Sequence, residues 1–420
     1  MKKIGTSRYT YITVIAVLSF LLVISLIING IQFVGRNDNN VSETSDDLSI
    51  PEVTDAPDTV KPEETTEAVT HPVIKDEESK LIAAYGEAAT ENFGKLADRF
   101  NALLEYLEIS GRPTRTYTVE KITVDEDGEK TSDVDPITVT YPAEVAFAYI
   151  DLTTGYTFSY NADEVFFGAS LVKLPYIYCV LKEIEAFEQH KHDYASDGSA
   201  LYDADGNPLF DGAHPNYDEN GNILYLEGEE KYDLGRKWTY DSGKDFVEGS
   251  GVIQNEDDGF SLTYLELIQY ALKYSDNIAF GEIQELFGRQ IYFDWAEKVG
   301  IKGVNNSSQK IHNLSANDCL IAMDAVYDYL ETDSKYAAAV KSAMLSTQHR
   351  VMIPSAVSPL ECANKYGWDK DSYHDMAIVY DEHPFAVVVM TDLDEGRSED
   401  NAYIRNITKE ILDIHNSFYK

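Results

Sequence analysis

Residues 9–35 carry no charge, and no other feature restricts this chain as strongly. The stretch YITVIAVLSFLLVISLIINGIQFV is long enough to cross a bilayer, which takes about 20 apolar residues. Lys2, Lys3 and Arg8 precede it, so the N-terminus is expected in the cytoplasm. A cleaved signal peptide is the alternative, but its apolar core would be shorter and a small-x-small site would come after it. The expectation is a cytoplasmic segment at 1–8, a retained single-pass transmembrane anchor at 9–35, and everything after it outside the cell membrane.

The segment after the apolar run cannot fold alone. From Asn37 to Glu78 there are thirteen acidic and two basic residues, with prolines at 51, 57, 62 and 72. So polar a segment buries too little apolar surface to offset its ordering entropy. Residues 36–78 therefore read as a disordered acidic linker. The whole chain carries a formal net charge of -39, which argues against nucleic acid as a partner, since phosphate binding needs clustered Lys and Arg.

The outer region begins with a helical pattern at Ala83, Ala84, Phe93, Leu96, Phe100, Leu103, Leu104 and Leu107. TYTVEKITV and ITVTYP read as strands of a hairpin around Asp127-Gly128. EVAFAYIDLTTGYTFSYNADEVF reads as a strand, a turn at Thr153-Thr154-Gly155 and a second strand. Residues 188–246 break the pattern as an acidic, Tyr- and Gly-rich insertion. It contains a short repeat, YDADGNPLF and YDENGNILY, set for hairpin turns. Neither copy has the Gly and Glu positions of a calcium loop. Cys179, Cys319 and Cys362 show no CxxC spacing, so no metal and no cofactor are expected. Helices then run from Ser261 to Gly300 and from Ala316 to Glu331. Two strands, MAIVYD and FAVVVMTD, and a last helix, DNAYIRNITKEILDIHNSFY, close the chain. This order implies an α+β fold, an antiparallel sheet assembled from both ends of the chain with helices on its faces.

Chemistry concentrates in FFGASLVKLPYIYCVL, residues 166–181. Ser170 and Lys173 lie at i and i+3 and share one side of a helix. A serine is a poor nucleophile without a base, and a lysine can be that base only where burial or a nearby cation lowers its pKa. Alone, Ser-x-x-Lys reads more readily as a helix-capping serine beside a snorkelling lysine. Ser307 and Lys310 repeat the spacing in a polar loop. Ser275-Asp276-Asn277 alone could be a helix end, and Lys365-Tyr366-Gly367 has a counterpart in the helix stop Lys298-Val299-Gly300. The order of the three elements is far more restrictive than any one of them.

With these motifs, residues 140–420 resemble the penicillin-interacting serine enzymes, most closely the class A beta-lactamase-like family with its beta-lactamase/DD-peptidase fold; residues 79–139 supply a preceding helix and hairpin. The resemblance implies that Ser170 is acylated and that Lys173 takes its proton. Ser275 relays a proton to the leaving nitrogen, and Asn277 holds Lys173 and the substrate amide. Lys365 attracts the substrate carboxylate and lowers the pKa of Lys173. Gly367 and Trp368 border the substrate, and the backbone N–H groups of Ser170 and Trp368 form the oxyanion hole.

Two departures stand out. Tyr366 replaces the family's Thr or Ser, and the loop Gly303–Ala316 contains no Asp or Glu where class A enzymes carry the Glu that activates the deacylating water. Asp318, the first acid afterwards, reads as a helix-start residue. His374-Asp375 reads as a solvated strand-end pair or as a polar pair near the site. The implied function is acyl transfer from a beta-lactam or a peptidoglycan stem peptide, with slow deacylation. A cell-wall D-Ala-D-Ala carboxypeptidase or endopeptidase, or a catalytically idle peptidoglycan-binding domain, are the alternatives.

Overall fold

Hydrophobic patterning and helix caps translate into helices and strands over the described residues. The computed structural model describes residues 80, 83–85, 93–107, 112–119, 123–124, 130–131, 137–189, 228–304, 310–369, 371–393 and 398–419. All belong to one compact unit, Thr70–Lys420. The expected anchor, the whole linker, the Asp127-Gly128 turn and the Tyr-Asp repeat lie outside the described residues. Among the described residues no helix is long and apolar enough to cross a membrane.

The described path opens with helix α1 (Phe93–Glu105). Strand β1 (Thr114–Val119) pairs with β4 (Ile137–Pro142), and between them β2 (Thr123–Val124) pairs with β3 (Lys130–Thr131). The expected single hairpin is thus two nested antiparallel ladders. Next come β5 (Val145–Asp151) and β6 (Thr157–Tyr160). Asp151 shapes their turn by accepting the Thr153 and Thr154 N–H groups at 2.8 and 3.1 Å, and Gly155 supplies the positive φ of 74°. Strand β7 (Val165–Phe167) leads through a 3-10 turn at Ala169–Val172 into helix α2 (Lys173–Gln189).

The helical block comes next. Strand β8 (Lys237–Thr239) pairs with β9 (Ser261–Thr263), and Leu234 and Tyr240 beside β8 are buried in the core. Helix α3 (Tyr264–Lys273) starts at a capping box between Thr263 and Glu266. Helices α4 (Asn277–Phe287) and α5 (Gln290–Val299) succeed it, the latter stopped by Gly300 at φ +86° as Lys298-Val299-Gly300 predicts. Strand β10 (Asn313–Ser315) pairs with β7 and enters helix α6 (Ala316–Leu330) through a capping box of Ser315 and Asp318. Two helices that the sequence pattern does not announce, α7 (Ala337–Leu345) and α8 (Ile353–Val357), precede strands β11 (Glu361–Asp369), β12 (Ser372–Tyr380) and β13 (Phe385–Thr391). Helix α9 (Ser398–Phe418) is last.

The central sheet has the order β11-β12-β13-β5-β6, every neighbouring pair antiparallel. Its strands therefore come from both ends of the domain, as expected. Side chains alternate between two cores. Ala146, Ala148, Met376, Ala386 and Val388 face the helical block, where small residues let α6 approach the sheet. Phe147, Tyr149, Ala377, Val387 and Val389 face α9, which contributes Ile404, Ile407, Ile411 and Ile414. The three cysteines are unpaired and buried.

Candidate active site

The segment before Ser170 is held from two directions. Strand β7 pairs Phe167 with Asn313, and the Gly168 N–H donates to His312 O at 2.6 Å. A Cβ on Gly168 would lie 2.9 Å from Leu314 Cδ1 and 3.2 Å from His312 O, so glycine is required there. Ala169 then takes φ +45°, a left-handed conformation that costs an alanine about 1–2 kcal/mol. That kink turns the chain into the 3-10 segment carrying Ser170. Leu171 and Val172 anchor it, both fully buried. Pro175 sits at the third position of α2, where a missing N–H leaves no carbonyl unpaired.

Lys173, the first residue of α2, is 2 % exposed. Its Nζ donates to Ser275 O and, at 2.7 Å, to Asn277 Oδ1, with Ser275 Oγ at 3.4 Å. Burial brings its pKa down to about 7, only partly opposed by the Asp276 carboxylate. A neutral amine has two N–H groups. The two carbonyl acceptors match them and leave the nitrogen lone pair for a proton.

Ser275-Asp276-Asn277 forms the joint between α3 and α4 rather than a plain helix end. Ser275 is fully buried at φ +54°. Asp276 caps α4 through Oδ1, which accepts the Ile278 and Ala279 N–H groups at 3.0 Å each. Its Oδ2 accepts from Val252 and Ile253 at 2.7 and 2.9 Å. All four bonds make Asp276 a structural clamp that presents its two neighbours. The clamp needs Gly249 and Gly251: a Cβ there would lie 2.6 Å from Asn277 Nδ2 and 2.3 Å from Asp276 Oδ2. These glycines are positioning residues that motif reading passes over, although Gly-Ser-Gly is the visible signal.

The second lysine arrives from the sheet. Lys365, fully buried on edge strand β11, donates to Tyr366 O at 2.7 Å and lies 3.0 Å from Ser275 Oγ. Burial first, then the nearby Lys173, hold its pKa well below the ordinary lysine range. A Cβ on Gly367 would lie 2.7 Å from Gly168 O and 3.1 Å from Leu171 N. Strand β11 therefore runs directly against the Ser170 turn, with Gly367 packed on Gly168 and Leu171.

Tyr366 does not spread its phenol over the site. It is 3 % exposed and packs with His349 and Trp368, ring centroids 5.1 and 5.2 Å away, and its own ring centroid lies 4.3 Å from Lys365 Nζ.

His374 and Asp375 correct the strand-end reading, for both are fully buried within β12. His374 Nδ1 accepts the Thr391 N–H at 3.1 Å, so its Nε2–H donates to Phe167 O at 3.0 Å. With both nitrogens committed and its pKa brought to about 4 by burial, it ties β12 to the end of β7 and has no lone pair for catalysis. Asp375 accepts from Asn364 Nδ2 at 2.9 Å and Ile353 N at 3.1 Å, and burial raises its pKa to about 7. Asp318, read as a helix-start residue, is one. Its carboxylate accepts the Lys302, Gly303 and Ser315 N–H groups at 2.8, 3.0 and 3.0 Å. Among the described residues no group of His, Cys, Asp and Glu is placed to hold a metal ion.

Residues 130–194 and 223–415, well over half of the chain, match the beta-lactamase enzyme family. Solved structures similar to it include the beta-lactamase of Sphaerobacter thermophilus DSM 20745, at 18% identity, covering 65% of this chain and 92% of that one, TM-score 0.49. A class A beta-lactamase from Mycobacterium abscessus is 16% identical over 65% of this chain and 94% of that one, TM-score 0.48. PBP-A is 14% identical over 65% of this chain and 90% of that one, TM-score 0.49. No curated protein matches the chain.

Proposed function

Because the chain belongs to the beta-lactamase enzyme family, we propose that it is an acyl-transfer serine hydrolase that opens a beta-lactam or D-alanyl peptide amide through an ester on Ser170. One observation carries this reading: two buried lysines, Lys173 and Lys365, both reach Ser275 Oγ. Two ammonium ions packed this closely repel, so one amine is readily neutral. Lys173 is then the base that takes the Ser170 proton as Oγ attacks the carbonyl carbon. Ser275 passes a proton to the departing nitrogen, and Lys365 is the group that meets the substrate carboxylate, whose negative charge favours the protonated amine. The Ser170 and Trp368 N–H groups hold the carbonyl oxygen as it becomes an anion, where one such donor is typically worth about 10²–10³-fold in rate.

In the same reading the enzyme works outside the cell, tethered by 9–35 and held off the membrane by the linker. Its natural substrate class is the peptidoglycan stem peptide. Labelling with a fluorescent penicillin tests the chemistry. The intact protein should gain one covalent label and Ser170→Ala none. Equal labelling of both removes Ser170 as nucleophile, and labelling of neither removes acyl transfer from this substrate.

A further inference from the structure

Hydrolysis of an acyl-serine needs a base for the incoming water, and most acidic and basic groups near the site are occupied. Asp276 and Asp318 accept backbone N–H groups through both oxygens. His374 has both nitrogens bound, and Asp375 faces Asn364 and Ile353. Lys173 is the acylation base.

One further titratable ring lies against the nucleophile turn. His312 immediately precedes β10, and its backbone carbonyl accepts the Gly168 N–H at 2.6 Å. Its ring Nδ1 lies 3.0 Å from Ala169 O, and the ring rests on Phe167 at 5.4 Å between centroids. His312 is therefore fixed by two hydrogen bonds to the two residues preceding Ser170. A carbonyl oxygen only accepts, so Nδ1 carries the hydrogen and Nε2 carries the lone pair. We propose that His312 is the general base that activates the water hydrolysing the Ser170 ester. The assignment rests on the acyl-serine reading above.

The step balances without a further reagent. Nε2 takes one proton from water as the water oxygen bonds to the acyl carbon. The tetrahedral intermediate collapses, the bond from carbon to Ser170 Oγ breaks, and the proton returns to Oγ. The free acid leaves and the resting enzyme is restored. The groups that act on the ring are Arg289 and Lys173, which disfavour its protonation, and Asp369 and the Ala169 carbonyl, which favour it. Burial is the largest influence and holds the pKa below the ordinary imidazole value. The base form is thus the resident form at neutral pH, and deacylation should fall off as pH drops below that range.

The test uses the full chain with a fluorescent penicillin, reading label gain and label loss separately by stopped flow and mass spectrometry. His312→Asn keeps a donor toward Ala169 O and removes the base. Label gain should be unchanged, label loss should slow by about 10²–10⁴-fold, and its acid limb should disappear. Added imidazole should restore label loss in His312→Ala. Unchanged label loss in both variants overturns the proposal. Equal slowing of gain and loss, without imidazole rescue, also overturns it, because His312 would then only hold the turn. Should the variants fail to fold, the wild-type profile decides, since label loss with no acid limb anywhere in the pH range over which the protein stays folded is incompatible with a histidine base. Absence of any Ser170 label in the wild type removes the acyl-serine reading itself, a different and separately visible outcome.

Discussion

Lys173 and Lys365 meet at one hydroxyl, with Nζ atoms 3.4 and 3.0 Å from Ser275 Oγ. One comes from the first turn of a helix and the other from the edge of the sheet. Their titration is consequently a property of the pair.

The acylation rate should show this directly. A lysine base must be neutral, and the neutral fraction grows with pH. Pre-steady-state acylation should therefore rise through pH about 7 and fall about tenfold per unit below it. Lys365→Met removes the neighbouring positive charge, so the limb should move to higher pH. A limb that moves to lower pH would contradict the proposed repulsion.

The Asp276 clamp should matter to stability as much as to activity. Asp276→Ala strands buried N–H donors of Val252, Ile253, Ile278 and Ala279, so a loss of about 3 kcal/mol or more is expected in urea unfolding. Gly251→Ala should act on the same joint, because its Cβ would collide with Asp276 and the residue sits at φ +126°. Acylation should fall in both variants, even though neither residue contacts the reacting atoms.

Placing a threonine at position 366 should destabilise this protein. Tyr366→Thr empties a packed volume beside His349 and Trp368, which should cost on the order of 3 kcal/mol. Thermal unfolding measures it. A variant as stable as the wild type would mean that this aromatic cluster is dispensable.

His374 gives a pH dependence of stability. Its folded pKa of about 4 is below the ordinary imidazole value, so the unfolded chain binds more protons between the two. Its contribution is complete above about pH 6.5 and is lost as pH falls through about 4. Chemical denaturation of the wild type and His374→Gln should show the wild-type advantage shrinking over that interval. A constant difference would show that the ring does not titrate on unfolding.

Turnover should begin with a burst. A neutral imidazole base becomes a cation while Lys173 and Arg289 stand nearby, whereas a carboxylate base would become neutral. Deacylation through His312 is therefore expected to be slower than acylation, and a rapid stoichiometric phase should precede the steady rate. Steady hydrolysis without a burst would place the slow step in acylation.

The sequence was informative where chemistry depends on local spacing. Ser170, Lys173, Ser275 and Asn277 stand in short motifs, and continuous apolar runs announce β12 and β13. It was uninformative where function depends on contacts distant in the chain. Nothing local says that Gly367 backs onto Gly168, that Gly251 is shaped around Asp276, or that the ring of Tyr366 is buried beside Trp368. His312 sits in a polar stretch with no periodicity, and only the pairing of β7 with β10 brings it to Ala169. The Ala-rich α7 and the five-residue α8 carry neither a clear amphipathic stripe nor a side-chain cap.

The strand order has a consequence for biosynthesis. Strand β5 lies between β6 and β13, and the edge strand bearing Lys365 joins the sheet only through β12, which pairs in turn with β13. A ribosome releases Ser170 and Lys173 long before those strands exist. During that interval Ser275 lacks its second lysine and the Ser170 turn lacks the strand that borders it. Contacts so distant in sequence also make this sheet slow to close. The proposed reactivity therefore arrives only with completion of the polypeptide.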